Sequence, residues 1–339
     1  MFWQRFAWCF KTETRDTSRY AYNYLSAQLR LETERNFTNI AKATKMSAQN
    51  VHHFMSNSPW DARLVLWQVQ TEIRFQPLFQ TGSVLVLDES ADQKASQNSV
   101  GAGRQYNGRL GKLDICQVGT FLAFAHPLSN TWTCIDGELY LQKDWFKDDM
   151  KEAREALGVP PDRPFATKIE LGWQMIGRVK EQGVPFEAVA CDDLYGRQDW
   201  FRAAMDKAGI VYMGDIARTT CVALTCPETD EALTVPVQGI ALSQTTLWQR
   251  VRVRPTERGY LEDEFACVRV YTWYNDAPRC EWLVLRRHVD QSVSYSLCNA
   301  AADTPLERLA WLKCVRHFVE RANQDAKSEA GWDDLRAQK

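Results

Sequence analysis

The chain has 339 residues, of which 45% are hydrophobic, and its 41 basic residues nearly balance 43 acidic ones. This length suffices for two or three domains with substantial cores, and the net charge of −2 provides no global basic field for nucleic acid. The sequence contains no apolar run of about 18 residues and no signal-peptide core, so we expect no membrane span. The 10 cysteines form no Cys-x-x-Cys pair, which favours a reduced cytoplasmic protein.

The first 80 residues have a helical pattern, and residues 38–54 resemble a helix-turn-helix. Ser47 is placed to cap the second helix of this motif. Four apolar residues are spaced to pack the two helices together: Ile40, Ala41, Val51 and Phe54. Four polar residues would then face DNA: Gln49, Asn50, His52 and His53. The alternative interpretation is a plain helical hairpin packed on the core.

Residues 81–216 alternate strand and helix patterns, which predicts a mixed sheet flanked by helices. The apolar runs at residues 83–88 and 186–192 are typical of buried strands, and each ends in an aspartate, Asp88 or Asp192. Helices are predicted at about 148–157 and 168–181. A polar loop follows Asp88 and carries basic residues that would lie along DNA: Lys94, Arg104, Arg109 and Lys112.

Residues 217–300 contain short β-branched and aromatic runs separated by turn residues, which predicts a β-rich insertion. Arg250, Arg252 and Arg254 alternate along one of these runs. On a regular strand all three would lie on one face, where they would follow DNA phosphates. A solvated sheet face is the alternative interpretation.

Residues 301–339 return to a helical pattern, which we expect to begin at a capping box formed by Thr304 and Glu307. At about 100° per residue, Lys313, Arg316, Glu320 and Lys327 form one stripe of this helix. Such a stripe also occurs on ordinary solvated helices. Two strand-end carboxylates and a third on a distant helix are nevertheless typical of a two-metal phosphoryl-transfer site.

The spacing Arg316-x3-Glu320-x6-Lys327 resembles the Y-R-E-K signature of bacterial insertion-sequence DDE transposases, whose tyrosine position is Lys313 here. Further stretches resemble the same family in the same order along almost the whole chain: residues 99–119, 137–145, 158–171, 190–196 and 296–309.

This resemblance implies an α/β fold in which an RNase H-like mixed sheet is flanked by helices, with an N-terminal helical domain and a β-rich insertion. Asp88, Asp192 and Glu320 would be the catalytic residues and would ligate two Mg²⁺ or Mn²⁺ ions. Glu89 and Asp193 are their neighbours, which we expect to point the other way on extended strands. The residues expected to contact DNA are Arg316, Lys327, Lys313, Arg104, Lys112, Arg250, Arg252 and Arg254.

The predicted domains are an N-terminal helical, helix-turn-helix domain (1–80), the first part of the catalytic core (81–216), the insertion (217–300) and a truncated C-terminal part of the core (301–339). The implied function is cleavage at transposon ends and strand transfer to target DNA. Its partners would be double-stranded DNA, as terminal inverted repeats and target, and a second copy of the chain in the DNA complex. The expected location is the bacterial cytoplasm, on the nucleoid when DNA is bound, without a membrane.

Two alternatives share these residues. One is an RNase H-like nuclease that cleaves without strand transfer. The other is a catalytically inactive DNA-binding remnant, which is favoured by Lys313 at the tyrosine position and by the early end of the chain.

Overall fold

The structure, a computed structural model, describes residues 2–328 except 33, 95–96, 109, 227–232 and 257–258. Its described N-terminal part contains four α-helices: α1 (Ser18–Arg30), α2 (Phe37–Thr44), α3 (Ala48–Asn57) and α4 (Ala62–Arg74). Ser47 caps α3, because its hydroxyl accepts a hydrogen bond from the Asn50 amide at 3.1 Å. The four predicted apolar residues are buried in a small core between these helices, and the four polar ones are exposed.

Six strands form the first part of a large sheet: β1 (Val84–Gln93), β2 (Gly103–Asn107), β3 (Lys112–His126), β4 (Thr131–Tyr140), β5 (Ala188–Cys191) and β6 (Tyr212–Ile216). Their order is β4-β3-β1-β5-β6, with β2 pairing β3 at the edge. In this order β4, β3 and β1 pair antiparallel with their neighbours, whereas β1, β5 and β6 run parallel to one another. This is the predicted RNase H-like arrangement. Four helices accompany them: α5 (Lys151–Ala156), α6 (Lys168–Glu181), α7 (Asp193–Gly196) and α8 (Asp199–Lys207).

The β-rich insertion continues the same sheet. It contains β7 (Cys221–Ala223), β8 (Thr234–Pro236), α9 (Val237–Leu242), β9 (Gln249–Thr256), β10 (Gly259–Tyr274), β11 (Ala277–Arg287) and β12 (Val293–Cys298). The last of these strands, β12, returns to pair antiparallel with β6 of the core. Insertion and core are therefore joined by a continuous hydrogen-bonded ladder.

A buried ion pair reinforces this connection. Arg202 on α8 donates from Nε to the Glu281 carboxylate on β11 at 3.2 Å, and both side chains are almost wholly inaccessible to solvent. The hydroxyls of Tyr212 and Thr272 also donate to Glu281. A buried charge of this kind is tolerated because its partners satisfy it on several sides.

Two helices end the described chain, α10 (Leu306–Cys314) and α11 (His317–Ser328). The chain breaks its helical path at Val315 and Arg316, between them. The predicted capping box is wrong, because Pro305 occupies the cap position of α10 and no side chain caps it. None of the helices in the described ranges has the length and apolar character needed to cross a bilayer.

Successive side chains of β1 pack on opposite faces of the central sheet, against different helices. Leu85 and Leu87 of β1 pack on one face, in a core that includes residues of α6 and α8. Val84 and Val86 pack on the other face, against α10 and α11. Because side chains alternate along a strand, Asp88 shares its face with Val86 and is directed towards α11.

Candidate active site

Two aspartates leave the sheet side by side. The parallel ladder between β1 and β5 ends with the pair Leu87 and Cys191, and the next residue on each chain is an aspartate, Asp88 or Asp192. Asp88 lies within β1, which continues to Gln93, and not at a strand end as predicted. Asp192 does follow the end of its strand, where its Oδ1 accepts a hydrogen bond from the Leu194 amide at 3.0 Å.

Glu89 lies unexpectedly close to this pair. Carboxylate oxygens of Asp88, Glu89 and Asp192 are all within 4.8 Å of one another. Alternation does place Glu89 on the opposite face of β1, but β5 has already ended there and no longer separates the two faces. Lys168 on α6 donates to Glu89 at 2.9 Å, and the Tyr195 hydroxyl donates to it at 3.3 Å. Asp193 is exposed and lies outside the cluster.

The aspartates have strongly shifted acidities. Burial raises the pKa of Asp88 to about 6, with the Arg316 guanidinium as the main opposing charge. Burial, and next the charge of Asp88, raise the pKa of Asp192 to about 7. Carboxylates that are desolvated and close together resist ionisation, because each negative charge disfavours the other. The site therefore has a deficit of positive charge.

Glu320 lies on α11, on the same side of the sheet as Asp88 and Asp192. Its negative charge is a small contribution to the raised pKa of Asp88. Glu320 is not part of the 4.8 Å cluster among the described residues, and its side chain is 58% exposed. Instead it accepts a hydrogen bond from Arg316 Nη2 at 3.4 Å. The structure thus brings the two aspartates together and keeps the glutamate beside them, paired with arginine.

The prediction that Lys313 forms one exposed stripe with Arg316 and Glu320 is wrong. Its side chain is only 3% exposed, and its amine donates to Asp215 at 3.2 Å and to the Ser296 hydroxyl at 2.5 Å. The break between α10 and α11 separates it from the helix that carries Glu320. In this position Lys313 is paired with Asp215 beneath the two aspartates, and its contact with DNA stays a prediction.

Asp215 is a site residue that the sequence analysis missed. It is at the end of a third apolar run, residues 210–215, so the signal that identified Asp88 and Asp192 was also present here. Burial alone would raise its pKa, but Lys313 and Arg316 hold the pKa of Asp215 below its ordinary value. Its Oδ2 is 3.6 Å from Arg316 Nη1. Asp215 therefore anchors the arginine that faces the two aspartates.

The prediction that the three arginines of β9 share one face of the strand is also wrong. The ladder between β9 and β10 pairs Arg252 with Glu262 but Arg254 with Leu261, so Val253 is an extra residue that forms a β-bulge. Arg250 and Arg252 point away from α10 and both form ion pairs with Glu262. Arg254 is turned towards α11, where its guanidinium lies 5.7 Å from the centre of the Phe318 ring.

The remaining basic residues are more scattered. Arg104 and Lys112 are exposed on the hairpin of β2 and β3, and Arg109 lies outside the described residues. Lys327, near the end of α11, lines a cavity of about 400 Å³ together with Ser90 and Asp92 of β1. It is thus on the same helix as Glu320 and close to the strand that carries Asp88.

The residues present fit a divalent cation. Asp88, Glu89 and Asp192 supply hard oxygen ligands, the type that Mg²⁺ and Mn²⁺ prefer. The raised pKa values of the two aspartates show that the protein itself leaves their charges undercompensated, which a bound cation would correct.

Comparisons with known proteins agree with this chemistry. A family profile described as DDE superfamily endonuclease matches residues 5–235, a segment that includes Asp88 and Asp192 but ends before Glu320. A probable transposase for insertion sequence element IS701, from Microchaete diplosiphon, is 24% identical over 307 residues, which cover 85% of this chain and 68% of that protein. The resemblance to insertion-sequence DDE transposases is confirmed by these two findings.

Among solved structures, the NurA nuclease from Sulfolobus solfataricus aligns with 82% of this chain and 88% of its own, at a TM-score of 0.34 and 9% identity. That likeness is too low to support an argument about fold or function. The profile match covers well over half of the sequence and contains both aspartates. The chain belongs to the DDE superfamily of endonucleases.

Proposed function

We propose that the protein is an insertion-sequence transposase that cleaves DNA at the ends of its element and joins the freed 3′ ends to target DNA. The main support is the carboxylate pair Asp88 and Asp192, which the sheet brings together with raised pKa values next to the helix of Glu320. Ordinary surface carboxylates do not have such values, and perturbed acids clustered together are typical of catalytic sites.

In this proposal Asp88, Asp192 and Glu320 hold two Mg²⁺ or Mn²⁺ ions, with Glu89 adjacent. Bound there, the cations would activate the attacking water and neutralise charge on the leaving 3′ oxygen. Glu320 would exchange its contact with Arg316 for this role. Arg316 would then be available for a phosphate oxygen beside the cleaved bond, a contact that suits the planar guanidinium.

Other residues are assigned to DNA binding. We assign recognition of DNA to the exposed residues of α3, which are Gln49, Asn50, His52 and His53. Arg104, Lys112 and Lys327 would contact phosphates. We further propose that two copies of the chain assemble on double-stranded DNA, since two element ends must be processed together.

The test uses the full chain, labelled duplexes that carry the element's terminal sequence, and a target plasmid. We expect Mg²⁺-dependent nicking and joining by the wild-type protein. Asp88→Asn should lower cleavage at least about a thousandfold with DNA binding retained, because the charge lost acts in the reaction. Asp303→Asn is the matched control, because Asp303 is an exposed aspartate outside the site. Cleavage unchanged in Asp88→Asn would refute the proposal.

One observation favours a second candidate, a DNA-binding remnant without catalysis: Glu320 is exposed and outside the carboxylate cluster. The same assay separates the candidates. A remnant would bind the terminal duplex equally well with and without the Asp88→Asn change and would cut neither strand. Nicking without joining would instead identify a nuclease that lacks strand transfer.

A further inference from the structure

A pocket of about 350 Å³ lies between β9 and the junction of α10 and α11, beside Glu320. We call it the Arg254 pocket. Basic side chains in its lining outnumber carboxylates: Arg254, Arg286, Lys313 and Arg316 against Asp215 and Glu320. His288 and His317 also line it, and burial lowers the pKa of each, so they add little charge near neutral pH.

The β-bulge in β9 directs Arg254 into the lining of this pocket. Val251 and Val253 both pack towards α10, so a regular strand would direct Arg254 away from the helices, as it does Arg250 and Arg252. The extra residue reverses that direction at one position and places Arg254 opposite Leu261, which also lines the pocket. Bulges commonly redirect a single side chain next to an active site.

The other cations of the pocket already have carboxylate partners. Arg286 is 2.7 Å from Asp263, Lys313 is paired with Asp215, and Arg316 is shared between Asp215 and Glu320. Arg254 differs: within the described ranges no carboxylate lies within 4.0 Å of it. Its Nε is buried without a hydrogen-bond partner, and Nη1 makes only a long contact, 3.4 Å, with the Pro255 carbonyl. A buried guanidinium N–H without an acceptor is costly, and a ligand that supplies an acceptor removes that cost.

We infer that the Arg254 pocket is a subsite for one backbone phosphate of DNA that flanks the cleaved bond, with Arg254 as its principal contact. A phosphodiester oxygen accepts hydrogen bonds from the guanidinium fork and supplies the negative charge that the pocket lacks. The position beside Arg316 and Glu320 places this phosphate close to the reacting one. This assignment rests on the proposed function.

Two neighbouring arginines provide matched controls on the same strand. Arg250 and Arg252 are 77% and 63% exposed, face away from the pocket and are both paired with Glu262. A general loss of positive charge from β9 would make all three substitutions equivalent. A specific phosphate subsite requires that Arg254→Gln alone has a large effect.

The experiment measures binding of the full chain to terminal duplexes that carry a single neutral methylphosphonate at each position near the cut. With wild-type protein, one position should lower affinity about tenfold, the effect of losing one charged hydrogen-bonded contact. Arg254→Gln should bind the unmodified duplex about tenfold more weakly, with a salt slope reduced by about 1, and should no longer respond at that position. Arg250→Gln and Arg252→Gln should keep the wild-type profile.

Arg254→Lys guards against a folding defect, because it keeps the charge and should recover part of the affinity. A wild-type methylphosphonate profile in Arg254→Gln would overturn the inference. A second outcome would also overturn it. Inorganic phosphate would protect the DNA-free wild-type protein from heat but not Arg254→Gln, while both proteins gave the same methylphosphonate profile. The pocket would then bind free phosphate and not DNA. Activity that survives Asp88→Asn would refute the proposed function, whereas a normal Arg254→Gln enzyme with an inactive Asp88→Asn variant refutes only the subsite.

Discussion

Lys313 donates to Asp215 across 3.2 Å, below the helix that carries Glu320. The same aspartate reaches Arg316 through its other oxygen. The position at which related enzymes have tyrosine is therefore occupied here by the buried cationic half of an ion pair. Its carboxylate partner comes from β6, a strand adjacent to that of Asp192, so the departure from the signature has a structural counterpart in the core.

Asp215→Asn should destabilise the protein by about 3 kcal/mol, because it leaves the Lys313 amine buried without a countercharge. Chemical denaturation of the metal-free protein measures this change. Asp303→Asn, an exposed aspartate, should change the free energy of unfolding by less than about 0.5 kcal/mol. The double change Asp215→Asn with Lys313→Met should recover much of the loss, and a double variant as unstable as the single one would contradict the pairing.

Glu89→Gln should weaken the affinity for Mn²⁺ about 10- to 100-fold, as expected when a carboxylate beside the ligating pair loses its charge. Titration of the DNA-free protein with Mn²⁺ by calorimetry measures the affinity directly. Asp193→Asn is the control, since Asp193 is as close in sequence to Asp192 but is exposed. Equal affinities in the two variants would exclude Glu89 from the cation site.

The metal-free protein should become less stable as the pH rises from about 5 to about 8. The pKa values of Asp88 and Asp192 are raised from 3.8 to about 6 and about 7, so the folded state binds more protons than the unfolded chain between about pH 4 and pH 7. Stability falls with pH wherever the folded state binds more protons.

Melting temperatures measured in chelator at pH 5.5 and pH 8 test this expectation, with Asp192→Asn for comparison. The variant should lose less stability over the interval, because one of the two competing charges is gone. Addition of Mg²⁺ at pH 8 should raise the melting temperature of the wild-type protein more than that of the variant. Identical pH dependence in both proteins would contradict the shared acidity of the pair.

Glu281→Gln should destabilise the protein by about 3 kcal/mol, because Arg202 would lose its buried countercharge. Asp199→Asn provides a matched comparison, since Asp199 is 2.7 Å from the same guanidinium but is 58% exposed. Its loss should cost less than about 1 kcal/mol. Urea denaturation of both variants decides the matter, and similar losses would show that burial is not what distinguishes the two carboxylates.

Much of the site could be predicted because its signals are local. An apolar run that ends in an aspartate identifies a buried strand with a carboxylate beyond its last apolar residue, as for Asp192. The predicted helix at residues 168–181 has the observed bounds, since Thr167 and Glu170 form a capping box at its start. Ser47 was identified as a helix cap by the same kind of local hydrogen bond.

The rest depended on contacts between distant parts of the chain. The pair Lys313 and Asp215 joins positions 98 residues apart, and neither sequence context reveals the other. The approach of Glu89 to the two aspartates depends on how far β1 extends beyond its neighbour β5, and these strands are far apart in the sequence. Arg250, Arg252 and Arg254 alternate regularly in the sequence, which gives no sign of the bulge at Val253. In the structure the bulge turns the Arg254 side chain to the opposite face of the strand.

The ladder between β6 and β12 limits how the enzyme can be shortened. Excising the insertion would leave β6, the outermost parallel strand, with a row of unsatisfied amides and carbonyls along one side. Such an edge recruits other chains and promotes aggregation. A minimal version of the protein would therefore need a replacement strand at that edge, and trimming loops at the far side of β10 is the safer route to a smaller enzyme.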